Sequence, residues 1–418
     1  MGDFVAGQGR ELARLLGIRY PHDMLRRFLR VALIGALAAS VPACPGPQKP
    51  KKVVKVKPTG PSKKTLLSDA REAAKSGEID TADARYKAAY DVDKEFDILE
   101  ERVDFLIHAG RPTHAQEVAK AYYDANATDV NGYKLYAESL IAGAKGTEAL
   151  EIADQILGMN GDDPAGHDKK GRALLLLDKN QEGIEELRRA VQLDGKSALF
   201  HMSLGTALHK IGEVNEAALE FRAALKASPQ DAQANVLLGM ALRDQNELDE
   251  SKHYLDEAIK LDETNGQAYF ELGVLYNRQG KQADAEIAFA KAVQKSPNES
   301  RFWYAYGEIF RVQERFDDAI NAYKKAVELD PPYPKAIAKL GLMLVERKKW
   351  DEAEGFLIQA IRKDKKNPVN YLHLGVVYAA QKKNKLAIEN YQTFLDMAPK
   401  NDPDRGRAKD AIQELKRR

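Results

Sequence analysis

The chain has 418 residues, a length that allows two or three ordinary domains. Its 64 Lys and Arg nearly balance 63 Asp and Glu, so a formal net charge of +1 creates no overall field that would favour nucleic acid. The mean hydropathy of −0.50 excludes a protein that lies mainly within a membrane. A single cysteine excludes intrachain disulfides and cysteine-rich zinc sites.

Residues 24–43 have the pattern of an export signal. Met24 begins a basic segment, MLRRFLR, which is followed by a run of small or apolar residues, VALIGALAASV, ending at Val41. This apolar run is shorter than the ~20 residues of a membrane span, and Pro42 follows it directly. We therefore predict a cleaved signal peptide over 24–43. Residues 1–23 have no place in such a signal, and we expect them to be an extension upstream of a true start at Met24.

The sequence Val-Pro-Ala-Cys at 41–44 resembles the lipobox of bacterial lipoproteins, although Pro42 departs from the usual motif. In that family, cleavage precedes the cysteine, and the cysteine sulfur carries diacylglycerol. The resemblance implies that Cys44 is the lipidated mature N-terminus. Pro45 after it, in place of Asp, resembles the pattern that sorts lipoproteins to the outer membrane. The alternative is an unused cysteine beside a simple signal peptide or an uncleaved anchor.

Residues 44–62 are predicted to be a linker. The segment that follows Cys44, PGPQKPKKVVKVKPTGPS, contains five Pro and five Lys, a composition that buries nothing and whose like charges repel. In an extended conformation at ~3.1 Å per residue the segment would reach roughly 55 Å. Its lysines could lie on anionic lipid, and the alternative is a merely solvated spacer.

A fixed period then dominates the chain. Seven glycines follow one another at a constant spacing of 34 positions: Gly171, Gly205, Gly239, Gly273, Gly307, Gly341 and Gly375. A fixed period in the range of ~20–50 residues indicates a solenoid of stacked repeats.

Other residue types recur with the same 34-residue period, at fixed distances from each glycine. Small residues stand 12 positions after each glycine: Gly183, Ala217, Ser251, Ala285, Ala319, Ala353 and Ala387. Large apolar residues stand 16 positions after it: Leu187, Phe221, Leu255, Phe289, Tyr323, Leu357 and Tyr391. Alanine stands 19 positions after it in every unit but the last, which has Phe394. Small side chains at these places let two antiparallel helices approach closely, and Pro229, Pro297, Pro331 and Pro399 are placed to end the second helix.

This pattern resembles the tetratricopeptide repeat (TPR) family. The match gives seven regular 34-residue units over 164–401, degenerate TPR-like helix pairs over 63–163 and a C-terminal capping helix over 402–418. The resemblance implies an all-α fold, a TPR α-solenoid in which about ten antiparallel helix pairs stack into a right-handed superhelix. It also implies protein or peptide partners.

Sequence motifs for catalysis or cofactor binding are absent, including the P-loop, the nucleophile elbow, the HExxH zinc motif and the Rossmann glycines. His167 and His201 share a repeat phase and could form a weak metal pair, but such a site needs further ligands. We therefore expect no enzyme activity, no catalytic residue, no cofactor and no metal.

In the TPR family the first helix of each unit lines a concave groove, and certain positions of that helix point into it. Carrying those positions over gives an apolar or aromatic lining and a set of polar contacts. The predicted lining is Met202, Val236, Met240, Phe270, Val274, Tyr304, Leu342, Leu372 and Val376. The predicted polar contacts are Arg243, Asn277, Arg278, Arg301, Arg311, Lys335 and Lys339. The basic residues among them could hold an acidic segment of a partner. The alternative is that neighbouring first helices simply cover these positions.

Taken together, these features predict a non-enzymatic protein-interaction scaffold that is tethered by lipid at Cys44 in the bacterial cell envelope, on the periplasmic face of the outer membrane. It would serve pilus or secretin assembly, motility, or outer-membrane assembly, without binding nucleic acid. Two alternatives remain. One is an inner-membrane-anchored or soluble TPR adaptor, and the other is a TPR protein that binds a small ligand or glycan or acts as an enzyme.

Overall fold

The computed structural model describes residues 61–417. Within that range it contains 21 α-helices and no strand. The predicted upstream extension, the signal peptide, Cys44 and nearly all of the linker lie outside the described residues. Across 61–417, none of the helices combines the length and apolar character needed to cross a membrane.

The helices come in ten consecutive pairs, followed by one further helix. The pairs are α1 (Lys63–Lys75) with α2 (Ile79–Asp93), α3 (Phe96–His108) with α4 (Pro112–Ala125), α5 (Val130–Ala142) with α6 (Gly146–Met159), α7 (Pro164–Leu176) with α8 (Asn180–Leu193), and α9 (Ala198–Lys210) with α10 (Val214–Ala227). They continue with α11 (Ala232–Asp244) and α12 (Leu248–Leu261), α13 (Gly266–Arg278) and α14 (Gln282–Lys295), α15 (Ser300–Val312) and α16 (Phe316–Leu329), α17 (Pro334–Glu346) and α18 (Trp350–Lys363), and α19 (Pro368–Ala380) and α20 (Asn384–Met397). The last helix is α21 (Asp404–Arg417).

The first helix of a pair starts at a side-chain cap in most of the regular units. Asp163, Ser197, Asp231 and Asn265 each accept a hydrogen bond from a backbone N–H in the first turn of the helix that follows. Such caps satisfy N–H groups that have no partner within the helix. At the other end of the unit, α10 stops two residues before Pro229, as predicted from the missing proline N–H.

The recurring geometry of the turn within each pair comes from one residue in the left-handed backbone region. Glycine supplies that conformation at Gly212 and Gly280, with φ of 88° and 74°. Asp178, Glu314 and Lys348 hold equivalent places with φ of 58°, 59° and 56° although they carry side chains. Left-handed backbone costs a residue with a Cβ about 1–2 kcal/mol, so these turns are held by the packing on either side of them.

The glycines of the repeat period bring the two helices of a unit into contact. A Cβ atom at Gly205 would lie 2.6 Å from the ring of Phe221, and one at Gly273 would lie 2.8 Å from the ring of Phe289. The large residue 16 positions downstream therefore packs directly on the glycine, as the spacing predicts. Where Ser251 stands in place of the usual alanine, its hydroxyl donates to the Gly239 carbonyl at 2.7 Å and is satisfied within the core.

The pairs stack so that the first helices form the inner row. Consecutive first helices contact one another from α3 through α13, and again at α17 and α19, whereas second helices mainly contact the first helices on either side. A row of helices that lie closer together is the concave side of a curved stack. Buried side chains run on from one unit into the next, as with Leu187, Phe221 and Leu238 in one cluster. The predicted all-α solenoid is confirmed, and its right-handed twist stays a prediction.

Candidate functional site

The candidate site is the exposed side of the inner row of first helices, α3 to α19, which we call the groove face. The sixteen predicted contact residues all lie on first helices of this row, from α9 to α19. Four are exposed: Asn277, Arg278, Arg301 and Lys335. Ten are partly buried: Met202, Met240, Arg243, Phe270, Val274, Tyr304, Arg311, Lys339, Leu342 and Val376. Val236 and Leu372 are buried.

The placement of Val236 in the groove lining is wrong. Its side chain is 1% exposed and belongs to a buried cluster with Ala268 and Leu272 of the next first helix, α13. Because Val236 is short and branched, the neighbouring helix covers it completely. Leu372 is 7% exposed and also packs in a core cluster, although one side of it faces a cavity.

A stripe of apolar side chains crosses the groove face at a single position of the repeat. Met240, Val274, Leu342 and Val376 occupy this position in α11, α13, α17 and α19, and all four are partly buried, whereas Glu308 occupies it in α15. Within the part of the chain described, no element of the protein covers their exposed portions. Apolar side chains held at a regular spacing on an open face are typical of a surface that binds another chain.

The aromatic residues of the groove face are partly covered by their neighbours. The ring of Phe270 stacks on Phe302 of α15 with centroids 4.6 Å apart, and the Arg301 guanidinium lies 5.3 Å from the Phe270 centroid. Tyr304 lies 5.3 Å from the ring of Tyr333, and burial raises the pKa of Tyr304 to about 12. At Phe270 and Tyr304, adjacent first helices cover part of each ring. The alternative that neighbouring first helices simply cover the predicted groove positions therefore holds in part.

Most of the predicted cations already have carboxylate partners. Arg311 and Lys339 lie 3.0 and 3.4 Å from Glu308. Arg243 is paired with Glu271, which is buried beside it. Burial would raise the pKa of Glu308, but the Tyr323 hydroxyl and Arg311 bonded to it hold that pKa below its ordinary value. The sequence prediction that this cluster holds an acidic segment is weakened, since a partner would compete with these carboxylates.

The structure also shows a charged network at the N-terminal end of the groove face that the sequence analysis missed. Glu138 of α5 accepts two hydrogen bonds from Arg172 of α7, at 2.7 and 2.8 Å, and one from Lys169 at 2.5 Å. Asp168 is fully buried next to them, and one of its carboxylate oxygens has no partner among residues 61–417. The sequence contained the signal for this network, because these residues occupy the same positions of the repeat as the groove residues predicted in the later units.

His167 and His201 do not form a metal pair. Each ring has one nitrogen 2.6 Å from a carboxylate of its own unit, Glu186 or Glu220. The other nitrogen lies 3.1 Å from a backbone carbonyl in both cases. Both nitrogens of each ring therefore have partners within the protein. Over the described range, no group of three or more His, Cys, Asp or Glu side chains is arranged to hold a metal ion.

Comparison with family models agrees with this architecture. Residues 169–232 and 236–300 match a model described as the tetratricopeptide repeat. Residues 283–405 match a model described as the cytochrome c-type biogenesis protein H TPR domain. No curated protein sequence matches the chain.

Solved structures are similar in fold. The APC/C hetero-tetramer Cut9–Hcn1 matches with a TM-score of 0.52 and 16% identity, over 84% of this chain and 76% of that chain. The human IFIT1 dimer with PPP-AAAA matches with a TM-score of 0.50 and 16% identity, over 80% of this chain and 89% of that one. At these identities the similarity concerns the fold alone.

Proposed function

The chain is a tetratricopeptide-repeat protein, and we propose that it is a non-enzymatic scaffold whose groove face binds a segment of a partner protein. The observation that carries the proposal is the apolar stripe of Met240, Val274, Leu342 and Val376 on the inner row of helices. Covering such a stripe removes apolar surface from water, which stabilises a complex by ~25 cal/mol per Å² before the costs of association.

The polar residues beside the stripe suit a peptide backbone or polar side chains. Asn277, Arg278 and Lys335 are exposed, and Lys335 has no carboxylate partner within 61–417. The paired groups Glu308 and Arg311 order the middle of the face rather than attract an ion. The groove therefore favours a partner segment that combines apolar anchors with uncharged or mixed polar residues.

A site-specific crosslinking experiment tests this proposal. A photo-crosslinking residue in place of Met240 on the groove face is compared with the same residue in place of Ile287 on the second helix α14, where the native side chain is 59% exposed. We expect a discrete crosslinked product in cells for the Met240 position and none for Ile287. Equal products from both positions, or none from Met240, would show that the groove face is not the binding surface.

We further propose that the scaffold is tethered to a bacterial membrane through lipid on Cys44, with the repeats in the periplasm at the outer membrane. The lipobox-like sequence at 41–44 and the Pro/Lys-rich segment after it support this proposal. Labelled palmitate should be incorporated by the wild type and not by Cys44→Ala, expressed with the native leader. Absence of label from both would overturn the lipid anchor and leave the scaffold proposal untouched.

One comparison favours a second candidate role. Residues 283–405 match the TPR domain of a cytochrome c-type biogenesis protein. The second candidate function is therefore that of an adaptor protein in the biogenesis of c-type cytochromes. A strain that lacks this chain should then lose covalent haem in its c-type cytochromes, measured by haem staining. Normal haem staining would exclude this role.

A further inference from the structure

A cavity of about 420 Å³ lies at the C-terminal end of the groove face, between α17, α19 and α21. Its apolar wall includes Leu372 and Val376 of α19, together with the rings of Trp350 and Tyr391. Since Val376 is also the last member of the apolar stripe, the cavity continues the groove face. Its volume is within the range of about 300–1,000 Å³ that is usual for ligand pockets.

The last helix, α21, closes this cavity. It stands where the first helix of an eleventh unit would stand, and it presents Ala408 and Ala411 to the cavity. Small side chains at these two positions leave the space open, whereas a large one would fill it. The cavity therefore depends on the small side chains that α21 presents.

His373 is the polar side chain on the α19 wall of the cavity. It is partly buried, and within residues 61–417 its ring nitrogens make no hydrogen bond. Burial lowers the pKa of His373 to about 4, with Asp404 and Arg407 acting in opposite directions. The ring is thus neutral near pH 7 and offers one N–H donor and one acceptor nitrogen. An occupant that displaces water from this ring must replace the hydrogen bonds of its nitrogens, so one that bonds to the ring is favoured.

The charges around the opening cancel. Glu346 and Asp404 are balanced by Lys348 and Arg407 on the same rim. Arg407 is already bonded to Asp404 at 2.9 Å, and its side chain is 84% exposed. The remaining titratable group on the wall is Tyr391, a neutral phenol near pH 7 whose pKa burial raises further, to about 12. A balanced rim with neutral groups inside is complementary to an uncharged occupant.

We propose that this cavity receives a tyrosine side chain of the partner segment, with its phenol hydroxyl hydrogen-bonded to His373 and its ring against Trp350 and Tyr391. A phenol hydroxyl both donates and accepts, and its ring suits aromatic walls. Phenylalanine would leave His373 unpaired, and a charged side chain would lose its hydration without a counter-charge. This inference rests on the proposed function and names one anchor of the partner.

The test uses two uncharged probes, N-acetyl-tyrosinamide and N-acetyl-phenylalaninamide, titrated into the full-length protein with ¹³C-labelled histidine rings. The His373 signal is identified by its loss in His373→Phe. We expect the tyrosine probe to bind about 3- to 10-fold more tightly than the phenylalanine probe, as one net hydrogen bond implies. The ratio of the two affinities should be the same at about pH 8 and pH 6, since burial keeps His373 neutral at both.

Three variants test whether the preference for tyrosine depends on His373 and on the open cavity. His373→Phe should bind both probes equally, whereas His373→Gln, which keeps a donor and an acceptor, should retain the preference for tyrosine. Ala411→Trp should fill the cavity and abolish binding of both probes. Helix content by circular dichroism identifies any variant that fails to fold, and the wild-type comparison of the two probes stands without any variant.

Equal binding of both probes by the wild type, or a tyrosine preference that survives in His373→Phe, would overturn the inference. Much tighter binding of N-acetyl-tyrosine with a free carboxylate would do so as well, because it would assign the cavity to an anion held by Arg407. If neither probe binds while the Met240 position still crosslinks to a partner, the tyrosine anchor fails and the scaffold proposal stands.

Discussion

Two Gly→Ala substitutions, Gly171→Ala and Gly355→Ala, should have opposite effects on stability. A Cβ at Gly171 would lie 2.6 Å from Leu187 Cγ and 2.7 Å from the backbone oxygen of Gly183. Gly355 lies in the second helix α18, where a Cβ would meet nothing within 4 Å. The chemical change is identical at both sites, so any difference comes from the space around the new methyl group.

The size of each change in stability depends on the space around the new methyl group. Replacing glycine by alanine inside a helix stabilises it by roughly 0.5–1 kcal/mol, and Gly355→Ala should show this gain. At Gly171 the same gain is opposed by overpacking, which costs about 1–3 kcal/mol. The upper part of that range applies, because the Gly183 oxygen belongs to the backbone of α8 and cannot rotate away. We expect Gly171→Ala to lose about 1–2 kcal/mol of stability, the overpacking cost less the helix gain. The two variants should then differ by about 2–3 kcal/mol.

Urea unfolding followed by far-UV circular dichroism measures the overall change, and hydrogen exchange by mass spectrometry locates it. Because each repeat contacts only its neighbours, faster exchange in Gly171→Ala should centre on α7 and α8. A Gly171→Ala variant as stable as Gly355→Ala, or more so, would refute the close approach of helices as the reason for the glycine period.

Two further predictions concern charge and backbone. Glu138→Gln should lower stability by about 2–3 kcal/mol near pH 7, because it removes the closer carboxylate partner of Lys169 and Arg172 and leaves them only Asp168, at 3.4 and 3.5 Å. Although burial raises the pKa of Glu138, the two cations bring it below its ordinary value of 4.5. The contribution of Glu138 is therefore complete above pH 4.5 and declines at lower pH, and melting temperatures at about pH 7 and pH 3 should differ less in the variant than in the wild type. Glu314→Gly should raise the free energy of unfolding in urea by about 0.5–1 kcal/mol, and Gly280→Ala should lower it by about 1 kcal/mol, because only glycine adopts the left-handed backbone of both positions without strain. Changes of the same sign in both variants would contradict this reasoning.

The sequence by itself determined the repeat and its internal packing. Phe221 stands 16 positions after Gly205, a spacing that fixes how the two helices of one unit face each other, and the structure places that ring against that glycine. Such contacts are local, so periodicity alone predicts them. The same logic placed the end of the second helix α10 before Pro229.

Only the tertiary structure decided what the groove face offers to a partner. The burial of Val236 depends on how closely α13 lies against α11, and the pairing of Arg243 with Glu271 depends on side chains from two units meeting. The cavity beside His373 exists because α21 presents the small side chains of Ala408 and Ala411 to that space. These features arise from distances between helices of different units, which the spacing of residues within one unit does not fix.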